Sequence, residues 1–309
     1  MIYFSIIIPH KNSIGLLQYC LSSIPVRDDI QVIVVDDNSD PNKVDFMNFP
    51  KWKGGCYECY FTKEGKGAGY ARNVGLEHAK GKWVLFVDAD DFLVADADDI
   101  FESTIGVDAD IVFYRPKSVM LHDRTIPSLR ASNYNRIIDN YLLCDDETEL
   151  RVRFFSPTCK FVRRSLIQSK NIRFEEIQYS NDNLFAVSIG CNANNIKVCD
   201  REFYVITESN DSLVSNYCSK PNELQIRSEA FLRVSNYIQK FNFPIDKNVA
   251  FDFLSRMLVT NKKLYVSFFQ QIMLLLNYSR IKLILEEFRG NKPWSRVKRT
   301  IYAFLITLH

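Results

Sequence analysis

Residues 83–91 read Trp-Val-Leu-Phe-Val-Asp-Ala-Asp-Asp. Five apolar residues without polar alternation describe a strand covered on both faces, as in a parallel sheet. The carboxylates that follow at once concentrate negative charge at the carboxyl end of that strand. The same pattern recurs upstream. Phe4-Ser5-Ile6-Ile7-Ile8 runs into Pro9-His10-Lys11-Asn12, and Val32-Ile33-Val34-Val35 runs into Asp36-Asp37-Asn38-Ser39. A third strand, Cys56 to Phe61, leads to Gly65, Gly67 and Gly69 and then to a helix over Tyr70 to Ala79 that carries Arg72 and Asn73. Ile111-Val112-Phe113 adds a fifth strand. Asn12 or Ser13 can cap a helix whose apolar positions Ile14, Leu17, Leu21 and Ile24 recur at helical spacing. Buried strands separated by helices imply an α/β fold, with a Rossmann-like, mainly parallel sheet and helices on both faces. Ligands of such sheets bind in the crevice at the strand carboxyl ends, so the four polar clusters should meet on one edge.

The composition suits that reading. A chain of 309 residues, 47% hydrophobic and 25% charged, buries enough core to need no disulfide or metal staple. A net charge of +2 gives no electrostatic argument for nucleic acid. The charge is uneven. Residues 1–99 carry 10 Lys/Arg against 15 Asp/Glu, and residues 251–309 carry 10 against 3. The start lacks the basic, apolar pattern of a signal peptide, and no run reaches the ~18 apolar residues of a spanning helix. The chain therefore reads as cytoplasmic. Its eight cysteines are scattered, and the single CxxC, Cys56 and Cys59, lies in a strand-like run without the second pair of a zinc ribbon, so packed free thiols are expected.

Residues 116–218 are more mixed, with short strands at Lys197-Val198-Cys199 and Phe203 to Ile206 and a helix near Asn183 to Gly190. The last 90 residues read as helices over Leu224 to Phe241, Val249 to Leu258, Val266 to Leu276 and Ile281 to Phe288. Near the end, Arg296, Lys298 and Arg299 stand beside Ile301, Tyr302, Phe304, Leu305 and Ile306. A helix of this kind at 293–309 suits an anionic membrane surface, and equally an apolar face packed on its own domain or on a second subunit.

Two aspartates spaced i, i+2 after a buried strand, Asp88 and Asp90, offer hard oxygen ligands. Mg²⁺ or Mn²⁺ takes such ligands when it also holds substrate phosphates, and a metal on a diphosphate stabilises it as a leaving group. Arg72 can add positive charge near the same phosphates. Other nucleotide folds are set aside. The first strand is followed by Pro-His-Lys-Asn and not by G-x-G-x-x-G, and no G-x-x-x-x-G-K-[ST] occurs. An aspartyl-phosphate phosphatase would carry its Asp pair after the first strand, not here.

Five segments in order resemble family 2 glycosyltransferases of the GT-A fold. They are Ser5 to Asn12, Ile33 to Ser39, Gly69-Tyr70-Ala71-Arg72-Asn73-Val74-Gly75, Gly81 to Asp91, and a weaker stretch from Arg173-Phe174-Glu175 to Asp182. The resemblance covers about residues 4–190. It implies a GT-A domain over 1–218, with a nucleotide-binding part over about 1–115 and an acceptor part over about 116–218; the helical region over 219–309 lies outside the resemblance.

The resemblance also implies an inverting transfer of a sugar from a nucleoside-diphosphate donor, a UDP-sugar by the family's habit, to a hydroxyl of a glycan or lipid-linked saccharide in surface polysaccharide synthesis. Carried over residue by residue, Pro9 and Asn12 line the nucleoside pocket. Asp37, with Asp36 beside it, accepts a hydrogen bond from the base, and Arg72 approaches the diphosphate. Asp88-Ala89-Asp90 matches the DxD signature, with Asp90 as direct ligand to Mg²⁺ or Mn²⁺ and Asp88 on the ribose or a metal-bound water. The family's Glu-Asp pair reads Asn181-Asp182 here, which gives Asp182 the role of catalytic base and departs from the pattern at Asn181. Lys160 matches a family lysine that precedes the acceptor site, and a plain surface lysine is the competing reading. His10 is expected near the nucleotide pocket, and His78, His122 and His309 at the surface. Two other readings stay open: a sugar nucleotidylyltransferase, which lacks its glycine-rich, basic signature here, and a non-catalytic subunit that uses the fold to bind a partner.

Overall fold

The computed structural model describes residues 1–209 and 221–276. The chain divides into two units, Met1–Ser215 and Asn216–His309. The first begins with β1 (Phe4–His10), α1 (Ile14–Ser23), β2 (Ile30–Asp37), β3 (Cys56–Thr62), α2 (Ala68–His78) and β4 (Trp83–Phe86). It continues through β5 (Phe92–Leu93), α3 (Ala97–Thr104), β6 (Ile111–Met120), α4 (Ser132–Cys144) and α5 (Thr148–Val152). It closes with β7 (Lys160–Arg163), α6 (Arg164–Ser169), α7 (Asn183–Asn192) and β8 (Ile196–Glu208).

The eight strands form one sheet in the order β3-β2-β1-β4-β7-β6-β8-β5. From β3 to β4 every pairing is parallel, as the unbroken apolar strands require. Beyond β4 the sheet is mixed, because β7 runs antiparallel to both β4 and β6, and β5 antiparallel to β8. The parallel expectation therefore fits the first half and yields to a mixed sheet in the second. There β7 lies between β4 and the longer β6 and brings residues 160–163 into the sheet interior. The two strand segments expected near 197 and 203 are one strand, β8, whose pairing with β6 shifts register around Arg115.

Chain order reverses at β1, which has β2 on one side and β4 on the other. Such a switch point leaves a crevice above the strand carboxyl ends, where no crossover fills the space. Below it, Phe4, Phe101, Phe161 and Phe203 are fully buried, with neighbouring rings 4.9–5.7 Å apart. This cluster ties β1, α3, β7 and β8 into one core, each ring removing about 1.5–3 kcal/mol of apolar surface cost.

In the second unit the described helices are α8 (Pro221–Gln239), α9 (Lys247–Thr260) and α10 (Lys262–Leu275), close to three of the four expected helices. Asp246 caps α9 and Asn261 caps α10, each accepting backbone N–H groups that the first turn leaves open. Phe253, Met257, Phe268 and Ile272 form its core. The expected helix over 281–288, the basic apolar stretch over 293–309, His309 and Cys218 lie outside the described residues. Among the described residues no helix is long and apolar enough to cross a membrane.

Candidate active site

The carboxyl ends of β1, β2 and β4 and the start of α2 enclose a cleft of about 480 Å³. Pro9, His10, Lys11, Asp37, Gly67, Arg72, Asp88 and Asp90 line it, so all four polar clusters meet there.

On the β2 side the two aspartates differ. Asp36 is buried and accepts hydrogen bonds from Ser39 N–H at 2.9 Å and Ser39 Oγ at 2.6 Å, and its Oδ2 lies 2.7 Å from His10 Nδ1. Burial raises its pKa, but the His10 and Ser39 bonds outweigh that and hold the carboxyl below its ordinary value. Asp36 thus braces β1 against the turn after β2, and Asp37 is the member of the pair that lines the cleft. Asp37 Oδ2 accepts the Gly67 N–H at 2.8 Å and the Lys11 ammonium at 3.3 Å. Gly67 offers that N–H from φ +95°, a conformation that disfavours any side chain. Asn12 ties the same loops together: its Oδ1 accepts Asp40 N–H and its N–H donates to Ser39 Oγ.

On the α2 side, Arg72 is 6% exposed. Its Nη2 donates to Asp88 at 2.6 Å and its Nη1 to Asn181 Oδ1 at 3.1 Å. Burial works against its charge, and the carboxylates of Asp88 and Asp182 overcome that, so the guanidinium stays cationic. Its Nε is buried with no hydrogen-bond partner. Asn181, the departure from the family pair, therefore has a definite place as an acceptor for Arg72. Asp182 sits half-buried at the N-cap of α7, and its charge bears on Arg72, Tyr134 and Lys160. Gly69 lets α2 reach this group, because a Cβ there would lie 2.2 Å from the Glu175 carbonyl oxygen.

Asp90 is open to solvent, yet protein crowds it on the cleft floor. Desolvation and the Asp88 charge push its pKa up to about 6, against the pull of Arg130 and Arg72. Asp91, beside it, is buried and accepts from Tyr204 Oη at 2.8 Å and Thr207 N–H at 2.7 Å. Burial and the charges of Asp90 and Asp88 raise Asp91 well above the usual carboxylate range. Among the described residues no three ligating side chains form a cage. Asp88 and Asp90, which both line the cleft, instead fit a hard divalent cation that completes its shell with water and substrate oxygens.

Lys160 is not a surface lysine. It is 1% exposed on β7, donates to the Phe154 carbonyl at 3.0 Å, and lies 5.1 and 4.7 Å from the Phe113 and Phe154 ring centres. Burial pushes its pKa down to about 7, with Cys159 and Asp182 pulling the other way. His78 likewise is not simply solvated, because it stacks on Tyr60 at 3.9 Å. Cys56 and Cys59 are free, part-buried thiols on β3. Tyr204 and Thr207 escaped the sequence reading. A strand was expected there, but nothing local to residues 203–207 points to the Asp88–Asp91 loop.

Residues 5–169 match Glycosyl transferase family 2. The chain belongs to that family. Among curated relatives, TarS of Staphylococcus aureus (strain Mu50 / ATCC 700699), a poly(ribitol-phosphate) beta-N-acetylglucosaminyltransferase, is 27% identical over 232 residues, 72% of this chain and 39% of that longer protein. The putative glycosyltransferase EpsH of Bacillus subtilis (strain 168) is 24% identical over 253 residues, 78% of this chain and 72% of EpsH. Among solved structures, residues 1–349 of S. aureus TarS in complex with UDP-GlcNAc superpose with a TM-score of 0.57 at 23% identity, over 85% of this chain and 74% of that one. This last likeness establishes the GT-A fold here. The residues matched by the family, 5–169, include Asp37, Arg72, Asp88 and Asp90.

Proposed function

We propose that the chain is an inverting glycosyltransferase that moves a sugar from a UDP-sugar to a hydroxyl of a glycan or lipid-linked acceptor during surface polysaccharide synthesis. The observation that carries this reading is the cleft at the β1–β4 switch point. One wall offers a buried carboxylate, Asp37, suited to the N–H of a base. The other offers Arg72, which lines the cleft beside Asp88 and Asp90 and is suited to a diphosphate. The relatives add weight, since TarS is named for transfer of N-acetylglucosamine and a Bacillus spizizenii relative for transfer of glucose, both to poly(ribitol-phosphate). A hexose or N-acetylhexosamine donor and a polyol or sugar hydroxyl acceptor are the first classes to test.

In this mechanism Pro9 and Asp37 hold the nucleoside, and Arg72 steadies the diphosphate. Asp88 and Asp90 would hold Mg²⁺ or Mn²⁺, which neutralises charge on the departing diphosphate. The acceptor oxygen forms a bond to the anomeric carbon from the face opposite the diphosphate. The bond from that carbon to the phosphate oxygen breaks, and its electron pair leaves with UDP. Asp182 takes the proton of the attacking hydroxyl, a step that calls for a base within hydrogen-bond reach of the acceptor. Asn181 cannot take that proton, and its contact with Arg72 leaves Asp182 as the ionisable member of the pair.

Calorimetric titration of UDP in Mn²⁺ and in EDTA, for wild type and Asp90→Ala, tests the reading. UDP binding that Mn²⁺ strengthens only when Asp90 is present supports it. Binding of a different nucleoside diphosphate would correct the donor, and a folded protein that binds none would overturn the catalytic reading.

A further inference from the structure

The Asp88–Asp91 loop follows a strand of only four residues, and the chain bends away before pairing again through the two-residue β5. Its shape needs support from elsewhere, and that support comes from the far end of β8. The Tyr204 hydroxyl is fully buried and makes two bonds: it accepts the Asp88 backbone N–H at 2.9 Å and donates to Asp91 Oδ2 at 2.8 Å. Three residues on, Thr207 N–H donates to Asp91 Oδ1 at 2.7 Å, and Thr207 Oγ1 donates to the Asp90 carbonyl at 2.9 Å. Every residue of the loop that bears a carboxylate is thus fastened by its main chain or its side chain to Tyr204 or Thr207. Asp88 and Asp90 are held through their main chains, which leaves their own carboxylates to the cleft and to Arg72.

We propose that Tyr204 and Thr207 are positioning residues that set the spacing of the Asp88 and Asp90 carboxylates for a divalent cation shared with a nucleoside diphosphate, with Asp91 as the buried peg between them. The proposal rests on the nucleotide-binding reading above. A purely structural role predicts something different. The Tyr204 ring belongs to the same buried core as Phe161, and Tyr204→Phe keeps that ring while removing only its hydroxyl bonds. Their loss should therefore spare the fold and selectively weaken the metal-dependent part of binding. The base wall, with Asp37 and the Gly67 N–H, makes no bond to Tyr204 or Thr207.

The test is UDP titration in Mn²⁺ and in EDTA for wild type, Tyr204→Phe, Thr207→Val and Thr207→Ser, with circular dichroism on each. Tyr204→Phe strands the Asp88 N–H and one Asp91 oxygen in a buried place, and should cut the gain in affinity given by Mn²⁺ about tenfold. Thr207→Val removes one bond and should cut it about threefold. Thr207→Ser keeps the hydroxyl and should restore it. Affinity in EDTA should move less than about twofold for all three, since none touches the base wall. An unchanged Mn²⁺ gain in Thr207→Val and in a folded Tyr204→Phe overturns the proposal, as does an equal loss with and without metal. If Tyr204→Phe fails to fold, the Thr207 pair decides alone. Wild type that binds no UDP is titrated with the other nucleoside diphosphates: binding of one of them moves the same test to that nucleotide, and binding of none refutes the nucleotide reading itself, which separates the two failures.

Discussion

In the half of the sheet built from β3, β2, β1 and β4, the residues that face the cleft stand within a few positions of the strand or helix end that aims them. In the half built from β7, β6, β8 and β5, the polar residues that matter turn inward. Lys160 is enclosed by phenylalanines, and Tyr204 and Thr207 grip a loop more than a hundred residues away in the chain. One half presents chemistry, and the other holds its geometry. The contrast teaches that a parallel α/β half can collect functional groups with short local motifs. A mixed half must instead create order through contacts that only the folded chain brings together.

The largest expected effect falls at the start of α7, where Asn181 meets Arg72 of the presenting half. Asp182→Asn should slow sugar transfer by about 10²–10⁴-fold, the usual contribution of a general base, while UDP affinity stays near wild type. Steady-state rates beside calorimetry would check this, and lost UDP binding in the folded variant would remove Asp182 from the base role. Next in size is the shared core. Phe161→Ala should cost about 3–5 kcal/mol in denaturant unfolding of the first unit. Because Phe161 touches rings from β1, α3 and β8, both halves should melt together, and two separate transitions would break the comparison into two independent subdomains.

A smaller effect sharpens the comparison at its boundary. Asp36→Asn should cost about 1–3 kcal/mol, because the bonds to His10 and Ser39 are buried and one partner would lose its acceptor. The base wall should loosen with it, so UDP affinity in EDTA should fall while the gain from Mn²⁺ persists. Smallest is the pH signature of Lys160. Its folded pKa near 7 lies below the ordinary 10.5, so between these values the unfolded chain binds a proton that the folded chain has released. Stability should therefore rise with pH across that window, by at most about 1.4 kcal/mol per pH unit. Lys160→Met should flatten the rise, so its advantage over wild type should be widest near pH 7 and shrink toward pH 10. Urea unfolding of the two proteins at several pH values would show it, and parallel slopes would mean that the lysine keeps its proton in the fold.

The sequence disclosed the presenting half because each of its signals is local. Asp36 and Asp37, Arg72, and Asp88 with Asp90 follow apolar runs or a glycine loop, and a parallel sheet brings such ends together by construction. The choice of Asp37 over Asp36 rested on the family resemblance alone, since spacing does not show His10 and Ser39 closing around Asp36. Lys160 was open to a surface reading because the phenylalanines that bury it come from β6 and from the stretch after α5. Tyr204 sat in an expected strand, but a strand pattern says which face is buried and not which hydroxyl will meet Asp91. The mixed pairing around β7 was equally silent, because a four-residue strand carries too little pattern to give its direction.

The two-residue strand β5 also bears on how the gene can vary in length. Phe92 and Leu93 pair with Val205 and Tyr204 and with nothing longer, so a slip of one position would turn the neighbouring side chains to the opposite face. The Tyr204 hydroxyl has one place to sit between Asp88 and Asp91. An inserted or deleted codon between Val87 and Phe92 would thus misdirect the aspartates without exposing the core. The exposed stretch over 45–48, with Met47 92% exposed, would absorb the same change.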